Sequence, residues 1–527
     1  MRRRVTGATA ASTARPVLRA SVALAIALAL GSGCRLSRTS ESRDDTWRPN
    51  ITAFENELQD LQAALAIPGL AYAVVDNGRT IGAGAFGVER GPGQARFTTA
   101  TPLRIASVTK SLTAVVALQL VEEGRLDLDA PARRYAPALK LPGQVLVRHL
   151  LTHTSEGDPG AEYVYGTNRY AMLGDVIEAI GGERFEDAIR RRVLERAGMR
   201  LHPSPGLGAH GGLVASTDDM AAYLAALDRG SLLRPASLSR LARPSRSPAG
   251  AVLPVSLGWF AQTVQGRQVV WSYGQDDPEH SGALLLRVPS RRLSLFILAN
   301  DNALSDPFRL LMGDAARSPF AMSFMRLFAF STPGRPLGRP RRDAPALSRQ
   351  ISGLEGASAY RYRDELLAWT LIDLWKDDGV AAQAKYDLAR ARDRDDAPDA
   401  VMHFAALRLP EARAKDAAIE DGMRLLAAHP ANRWILLAQG YLLQQRERTA
   451  EAAACFRRIL ALPNQEPDFL WRLFRAWSWM ALARISTEGD PRQAREYLRE
   501  IVGSGVTGAL LDEAKQMLDD LDRRNQR

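Results

Sequence analysis

A serine and a lysine three positions apart, Ser107 and Lys110, are the residues whose types and spacing best suit chemistry. The chain contains 63 arginines but six lysines, and only Lys110 and Lys140 precede residue 345. Arginine keeps its proton in a protein, whereas a lysine amine can release it and act as a base. Side chains at i and i+3 lie on one face of a helix, about 5–6 Å apart. The pair therefore predicts a serine nucleophile activated by a lysine.

The helix that must hold this pair is predicted from Ser107 to about Glu123. Its apolar residues recur at helical spacing, namely Val108, Leu112, Val115, Val116, Leu118, Leu120 and Val121. Gly124 is a typical helix stop. Ser107 then lies in the first turn, where the helix dipole favours a developing negative charge. A serine and a lysine at this spacing could also occur by chance. The neighbouring sequence must therefore show whether Ser107 and Lys110 form a catalytic pair.

Length and composition predict a soluble protein of two or three globular domains. The chain has 527 residues, of which 46% are hydrophobic and 24% charged. Its formal net charge is +10, but five arginines lie in residues 1–34, which contain no acidic residue, and no basic stripe is interleaved with aromatic residues. We therefore expect no nucleic-acid partner.

Residues 1–34 have the features of an export signal. A basic start is followed by an apolar stretch and by small residues before Cys34. The sequence Leu30-Gly31-Ser32-Gly33-Cys34 resembles a bacterial lipobox, with the leucine one position further from the cysteine than usual. We expect lipidation at Cys34, membrane attachment through the lipid and a location in the periplasmic cell envelope, with plain signal-peptidase cleavage as the alternative. Residues 35–50 are predicted to be a tether.

The rest of the chain divides by composition into two bodies. Residues 51–330 mix strand and helix patterns, residues 331–345 form a linker rich in proline, arginine and glycine, and residues 346–527 are helical. In the first body a hairpin is predicted at its start and three strands near its end, at 69–75, 79–86, 268–274, 283–288 and 293–299. Strands from both ends predict one antiparallel sheet flanked by helices, an α/β (α+β) fold.

The helical body resembles tetratricopeptide or similar helical-hairpin repeats. One hairpin is predicted from Trp434 to Pro463, and a second combines 469–484 with 491–502. The tryptophans of the second hairpin are expected to form its core or to line a groove for a partner. Arrays of this kind often bind proteins or peptides, so a protein partner is a possible role for this body.

Several ordered segments in residues 50–300 resemble the serine β-lactamase-related family, which includes class C β-lactamases, penicillin-binding proteins, esterases and D-amino-acid peptidases. The matching segments are 102–114, 123–131, 147–155, 211–219 and 288–300. The resemblance implies a β-lactamase-like sheet flanked by helices. It also implies that Ser107 is the nucleophile and Lys110 its base.

The family's second motif is a tyrosine followed two residues later by an asparagine. Here it corresponds to Tyr165-Gly166-Thr167, so the tyrosine is present and Thr167 replaces the asparagine. The resemblance implies that Tyr165 moves protons between the serine and the leaving group. Tyr163 and Tyr170 are nearby competitors for this role.

The third motif of the family, KTG or HxG, matches less well. The strand offers Ser272-Tyr273-Gly274 in the register that keeps the glycine, with the Gln275 N–H as second oxyanion-hole donor. A slipped register would put Gln275 in the cationic place and Pro278, which lacks an N–H, at the donor position. Both registers lack the cation that binds a substrate carboxylate, and His280 is expected to be a hairpin residue. Uncharged esters or small amides are therefore favoured as substrates.

Two hypotheses follow for the whole chain. The first is an exported serine hydrolase that forms an acyl-enzyme at Ser107 with a small-molecule or peptide substrate. The second is an envelope scaffold that has lost its chemistry and binds a protein or peptide through the helical body. We expect no cofactor and no metal, because His149 and His153 lack a third ligand in the sequence.

Overall fold

The computed structural model describes residues 43–338 except 92–93, 277, 309 and 311–312, scattered positions between 368 and 431, and residues 433–525 except 464–467, 505 and 507–508. The signal segment, the lipobox with Cys34 and residues 339–345 of the expected linker lie outside these residues. The chain divides into two compact units, Met1–Thr46 and Trp47–Arg527. Within the described residues, no helix combines the length and apolar character needed to cross a bilayer.

The first helix, α1 (Arg43–Ala64), begins inside the segment that we expected to be a tether. Trp47 and Asn50 are buried, and the Asn50 side-chain amide donates to the Leu327 carbonyl at 2.6 Å. The Trp47 indole N–H donates to Asp76 Oδ2 at 3.2 Å. The tether boundary at residue 50 is therefore wrong, because these contacts already belong to the folded domain.

The six-stranded antiparallel sheet has the order β2-β1-β8-β7-β6-β5. Its strands are β1 (Gly69–Asp76), β2 (Arg79–Gly87), β5 (Phe260–Val264), β6 (Arg267–Asp276), β7 (Ser281–Val288) and β8 (Leu293–Ala299). The predicted hairpin and the three later strands are confirmed. Strand β5 was not predicted. Because β1 pairs with β8, the two ends of the domain sequence meet at the centre of the sheet.

Two hydrophobic cores cover the two faces of this sheet. Along β1, Ala73 and Val75 belong to one core, and Tyr72 and Val74 belong to the other. Side chains alternate between faces of a strand, so a strand buried on both faces is apolar throughout. The first core contains the helix that follows Ser107, and the second contains α1 and a helix after the sheet, residues Pro319–Phe324.

The helical layer lies in the sequence between β2 and β5. Its helices are α2 (Thr109–Glu122), α3 (Val147–Leu151), α4 (Thr167–Ala171), α5 (Leu173–Gly181), α6 (Phe185–Ile189), α7 (Glu195–Ala197), α8 (Thr217–Asp228) and α9 (Pro235–Leu241). A second, two-stranded sheet pairs β3 (Leu103–Arg104) with β4 (Val214–Ala215). This small sheet immediately precedes Ser107 and fixes the point at which the chain enters α2. With Pro319–Phe324 as α10, these elements confirm the predicted fold class.

The C-terminal region is helical, as predicted. Among its described residues, 433–525 contain the helices α11 (Arg433–Gln445), α12 (Thr449–Ala461), α13 (Asp468–Ser486), α14 (Pro491–Gly503) and α15 (Ala509–Asn525). The pairs α11–α12 and α13–α14 occupy the segments of the two predicted hairpins. Trp479 packs in a hydrophobic core between these helices. Its burial agrees with the expectation that tryptophans of the second hairpin form its core. Membership in a repeat family and the domain boundary at 331–345 stay predictions.

Candidate active site

Ser107 and Lys110 lie within hydrogen-bond distance at the start of α2. Ser107 is half-buried in a 3₁₀ turn, Ala106–Val108, that leads directly into the helix. Lys110 is only 3% exposed, and its Nζ donates to Ser107 Oγ at 2.8 Å. Nζ also donates to the backbone carbonyl of His210 at 2.8 Å. A hydroxyl and an amine at this distance have the geometry of a nucleophile and its base.

The backbone before Ser107 is held in an unusual conformation. Ala106 has a φ of +45°, in the left-handed region that residues other than glycine rarely adopt. The Ile105 N–H donates to the Leu213 carbonyl at 2.9 Å, and Thr109 Oγ1 donates to the Ala106 carbonyl at 2.7 Å. Strain of this kind persists only where surrounding contacts impose it. Here they fix the direction in which Ser107 enters the site.

Of the three tyrosines that competed for the second motif, Tyr165 and Tyr170 have their rings beside the lysine amine. Lys110 Nζ lies 5.0 Å from the centre of the Tyr165 ring, which is half-buried. Tyr170 is fully buried, and its hydroxyl donates to the Lys110 backbone carbonyl at 2.8 Å, which occupies it structurally. Burial, followed by neighbouring tyrosines, raises the pKa of Tyr163 and of Tyr170 well above the ordinary range, so both hydroxyls stay protonated.

Thr167 does not join this group. It is the first residue of α4 and is exposed, and its side chain has no described contact with Ser107 or Lys110. The structure therefore brings together the tyrosine of the second motif and the Ser–Lys pair, but leaves Thr167 outside them.

Strand β6 passes directly beside the nucleophile turn. A Cβ added to Gly274 would lie 2.2 Å from the Ile105 carbonyl oxygen, so only glycine allows this approach. Ser272 is buried and lies on the same face of the strand as Gly274. Strand β5 pairs with β6 only as far as Trp271, and β6 continues past it to Asp276. The backbone next to Ser107 is thus the part of β6 that β5 does not cover.

The side chains of Tyr273 and Gln275 lie near other parts of the site. The Tyr273 ring is 6.5 Å from that of Tyr165, and burial raises its pKa well above the ordinary range. Gln275 pairs with Gly282 on β7, and its Oε1 lies 3.5 Å from Ser305 Oγ. The close approach at Gly274 supports the register that keeps the glycine. The donor role of the Gln275 N–H stays a prediction. His280 is exposed in the turn before β7, which agrees with the expected hairpin position.

An aromatic wall surrounds the lysine. Tyr165 stacks on His153 at 4.5 Å between ring centres and lies parallel to Phe260 at 6.3 Å. Phe260 in turn stacks on Trp271 at 4.3 Å. The residues around Lys110 are therefore apolar and aromatic on this side, a suitable surface for an uncharged substrate group.

His153 and His210 are site neighbours whose positions sequence reasoning did not use. Gly166 N–H donates to His153 Nδ1 at 3.2 Å, and burial, then Lys110, lowers the His153 pKa well below its ordinary range. His210 supplies the carbonyl for Lys110, and burial, then Lys110, lowers its pKa as well. His210 contacts Lys110 through its backbone carbonyl, so the type of its side chain could not reveal this contact in the sequence. It lies next to Gly211-Gly212 in a segment that matched the family.

Within the described part of the chain, no group of three or more His, Cys, Asp or Glu side chains is arranged to hold a metal ion. The two histidines at i and i+4 make different contacts. His149 Nδ1 accepts the Leu146 N–H at 3.2 Å, whereas His153 belongs to the aromatic wall. They do not form a shared site.

Comparisons with known proteins match this domain to a family model. Residues 54–312, just under half of the chain, match the model described as Beta-lactamase. This match agrees with the antiparallel sheet and its flanking helices, and with the family that the sequence motifs of this domain resemble.

Individual relatives are more distant. The chain is 24% identical over 317 residues to a D-aminopeptidase of Gluconobacter oxydans, covering 47% of this chain and 58% of that protein. It is 29% identical over 153 residues to ML-236A carboxylate methylbutanoyltransferase mlcH of Penicillium citrinum, covering 19% and 36%. An octameric penicillin-binding protein homologue from Pyrococcus abyssi is similar in structure, with a TM-score of 0.46 and 22% identity over 58% of this chain and 82% of that one. The chain thus spans less than two thirds of the length of the D-aminopeptidase and of the methylbutanoyltransferase.

Proposed function

We propose that this protein is an exported serine hydrolase that forms an acyl-enzyme at Ser107 with an uncharged ester or amide. The observation that carries the proposal is the buried Lys110 Nζ, 2.8 Å from Ser107 Oγ and 2.8 Å from the His210 carbonyl. For the reaction the amine keeps its N–H bond to the His210 carbonyl, while the bond that Nζ donates to Ser107 Oγ is reversed and the nitrogen lone pair accepts the Ser107 proton. The same geometry suits neither a buried structural ion pair nor a surface lysine.

The reaction proceeds in two steps. Lys110 takes the Ser107 proton while Oγ attacks the substrate carbonyl, and backbone N–H groups of Ser107 and Gln275 stabilise the oxyanion. Tyr165, above the lysine, returns a proton to the leaving alcohol or amine. Water then attacks the acyl-enzyme by the reverse proton transfers and releases the acid.

The substrate class follows from the side chains on β6. Residues 272–275 are Ser, Tyr, Gly and Gln, so none carries a positive charge beside the nucleophile. The Arg104 guanidinium donates to the Pro205 carbonyl and lies 3.9 Å from Glu279, so it is already engaged. Without a cation, a substrate carboxylate loses a charge-assisted hydrogen bond worth about 1.5–3 kcal/mol. The aromatic wall favours apolar substrate groups instead.

The activities for which two of the relatives are named are compatible with this chemistry. An aminopeptidase cleaves an amide, and a methylbutanoyltransferase moves an acyl group. Both reactions involve an acyl carbonyl of the kind that Ser107 would attack. The basic and apolar N-terminal segment before Cys34 supports export and lipid attachment in the cell envelope, and the helical region supports a role in binding a protein partner.

Covalent labelling tests the proposal. The full-length protein is incubated with a fluorophosphonate and, separately, with a fluorescent penicillin, and the intact mass is measured. We expect a fluorophosphonate adduct on the wild type and on Ser111→Ala, a serine one turn further along α2, but none on Ser107→Ala. Penicillin is expected to react at least tenfold more slowly than the fluorophosphonate, because its carboxylate meets no cation.

Each outcome has a definite meaning. No adduct with either probe would contradict the hydrolase and favour the scaffold, in which the helical region does the binding. An adduct that persists in Ser107→Ala would contradict the choice of nucleophile. Rapid labelling by penicillin would contradict the argument from the missing cation.

A further inference from the structure

A cavity whose lining does not include Ser107 lies between α3, with the loop that follows it, and the segment at the end of α9. Its volume is about 460 Å³, within the range of small-molecule sites. Four arginines line it, Arg148, Arg240, Arg243 and Arg246, and we call it the arginine cavity. No aspartate or glutamate is among the residues that line it.

Most arginines of this cavity have no carboxylate partner. Many arginines elsewhere in the domain do have one within ion-pair distance, as in Arg169–Glu156, Arg192–Glu123 and Arg287–Asp228. In the arginine cavity only Arg148 has one, Asp129, among the described residues. Arg246 donates to the Gly250 carbonyl, and Arg240 and Arg243 have no carboxylate partner in the described part of the chain.

Nearby carboxylates do not balance this charge. Asp129 is paired with Arg148, and Asp158 is close enough to His149, a lining residue, to interact with it electrostatically. Two carboxylates against four guanidinium groups leave an excess of two positive charges. Guanidinium groups that converge on a common space repel one another unless an anion joins them, and they match phosphate and carboxylate oxygens in pairs.

Neutral donors complete the lining. Thr154, Ser245 and Ser247 contribute hydroxyls. His149 Nδ1 accepts the Leu146 N–H, so the ring proton lies on Nε2, and a Cβ on Gly160 would be 3.1 Å from that atom. Since Gly160 also lines the cavity, a neutral His149 presents an N–H donor there without needing to be charged.

The arginine cavity is separate from the candidate active site. His149, Thr152 and Thr154 line the cavity, whereas His153, from the same segment, belongs to the aromatic wall beside Lys110. The two sites therefore use alternate residues of one short stretch of chain. None of the cavity's arginines contacts Ser107, Lys110 or Tyr165 among the described interactions.

We propose that the arginine cavity binds a small polyanion, a molecule that carries a phosphate or several carboxylates. The inference rests on four arginines that line one cavity, three of them without a carboxylate partner among the described residues. It does not rest on the proposed hydrolase activity.

Calorimetric titration of the full-length protein with pyrophosphate, with citrate and with vesicles containing anionic phospholipid tests the proposal. We expect saturable binding of pyrophosphate or citrate to the wild type. Arg240→Gln/Arg243→Gln should weaken that binding about tenfold or more, because it removes two charge-assisted contacts. The matched control, Arg133→Gln/Arg200→Gln, removes two exposed arginines outside the cavity and should bind within twofold of the wild type. Fluorophosphonate labelling of Ser107 should be the same in all three proteins.

Other results would overturn the proposal. Absence of saturable binding of both soluble anions by the wild type would do so, as would equal weakening in the cavity and control variants, which would indicate general charge attraction. If the protein bound the vesicles but neither soluble anion, the ligand of the cavity would be a membrane surface and the proposed small polyanion would be wrong. Failure of Ser107 labelling in every protein, with anion binding retained, would contradict the hydrolase proposal and leave the cavity proposal standing.

Discussion

At the scale of residues, the candidate site depends on one amine in a precise environment. Lys110 is buried, contacts a hydroxyl and a carbonyl, and has the Tyr165 ring above it. The chain uses arginine for nearly all its positive charge, but position 110 is a lysine, whose amine can lose its proton and act as a base. The identity of the side chain, beyond its charge, should therefore decide activity.

Replacing the lysine by arginine tests this point. Lys110→Arg keeps a positive charge and hydrogen-bond donors but removes the base, and we expect fluorophosphonate labelling and ester hydrolysis to fall about 10²–10⁴-fold. Lys140→Arg, an exposed lysine of the same domain, is the matched control and should be unaffected. Labelling rates measured from pH 6 to 9 would reveal the loss. Wild-type rates in Lys110→Arg would exclude lysine as the base.

His153 should make the fold sensitive to acid. Burial lowers its pKa well below the ordinary value of 6.5, so the folded state leaves it neutral where the unfolded chain takes up a proton. The unfolded state then binds more protons, and stability falls as the pH drops below about 6.5 toward the folded-state pKa. At pH 5.5 we expect this single group to account for a loss on the order of 1 kcal/mol. Thermal melting between pH 7.5 and 5.5 measures it.

The matched variants for this effect are His153→Asn and His280→Asn. Both histidines have a positive φ, which asparagine tolerates, but His153 is buried and His280 is exposed. His153→Asn should melt at a lower temperature at pH 7.5 and lose less stability on acidification than the wild type. His280→Asn should follow the wild-type pH dependence. An unchanged pH dependence in His153→Asn would contradict the assignment.

Sequence reasoning located the Ser107–Lys110 pair and Tyr165 because they belong to spaced motifs. The same spacing selected Thr167, whose side chain is exposed at the start of α4, and its role in substrate binding stays a prediction. The His210 contact was not predictable, because a backbone carbonyl is common to every residue type.

At the scale of elements, the site is formed by the approach of β6 to the turn before α2. Gly274 lies against the Ile105 carbonyl, and Ala106 keeps its positive φ in the same place. Two backbones can come this close only where one of them lacks a Cβ. The separation between the nucleophile and the open part of β6 is therefore set by one missing side-chain atom.

Gly274→Ala should move these elements apart. The new Cβ would lie 2.2 Å from a backbone oxygen, so β6 or the turn must shift. We expect a loss of about 1–3 kcal/mol in stability and, if the strand moves by about 1 Å, of about 10²-fold in hydrolysis. Chemical denaturation and ester turnover measure the two effects. Gly143→Ala, which introduces a Cβ into open space, should change neither, and equal effects in both variants would contradict the contact.

The strands that were predicted correctly are those with long apolar runs, because burial on both faces of the sheet leaves a continuous signal in the sequence. Strand β5 was missed because it is short and contains Gln262 and Thr263. The signal that could have revealed it is Gln265-Gly266, where both residues have positive φ values and form the tight turn into β6. The start of α1 was missed because its first residues are polar and charged.

At the scale of the whole molecule, the proposed anchor makes the two cysteines differ. Cys34 is expected to carry lipid, whereas Cys455 is a half-buried thiol in α12 whose pKa is raised by burial to about 11. Cys34→Ser should move the protein from the membrane fraction to the soluble fraction of cells and abolish incorporation of a fatty-acid label. Cys455→Ser should leave both unchanged. A labelled, membrane-bound Cys34→Ser protein would contradict lipidation at this residue.

The pairing of β1 with β8 also governs the order of events during folding. Leu70 finds its partner at Ala299, so the middle of the sheet cannot close until nearly the entire domain has been synthesised. Contacts so distant along the chain are slow to form, because a long loop must close before they bring any gain. Until then the apolar residues of β1 lack their partner strand β8 and can contact other chains. For a polypeptide proposed to cross a membrane before it folds, this delay keeps the chain open long enough to be translocated.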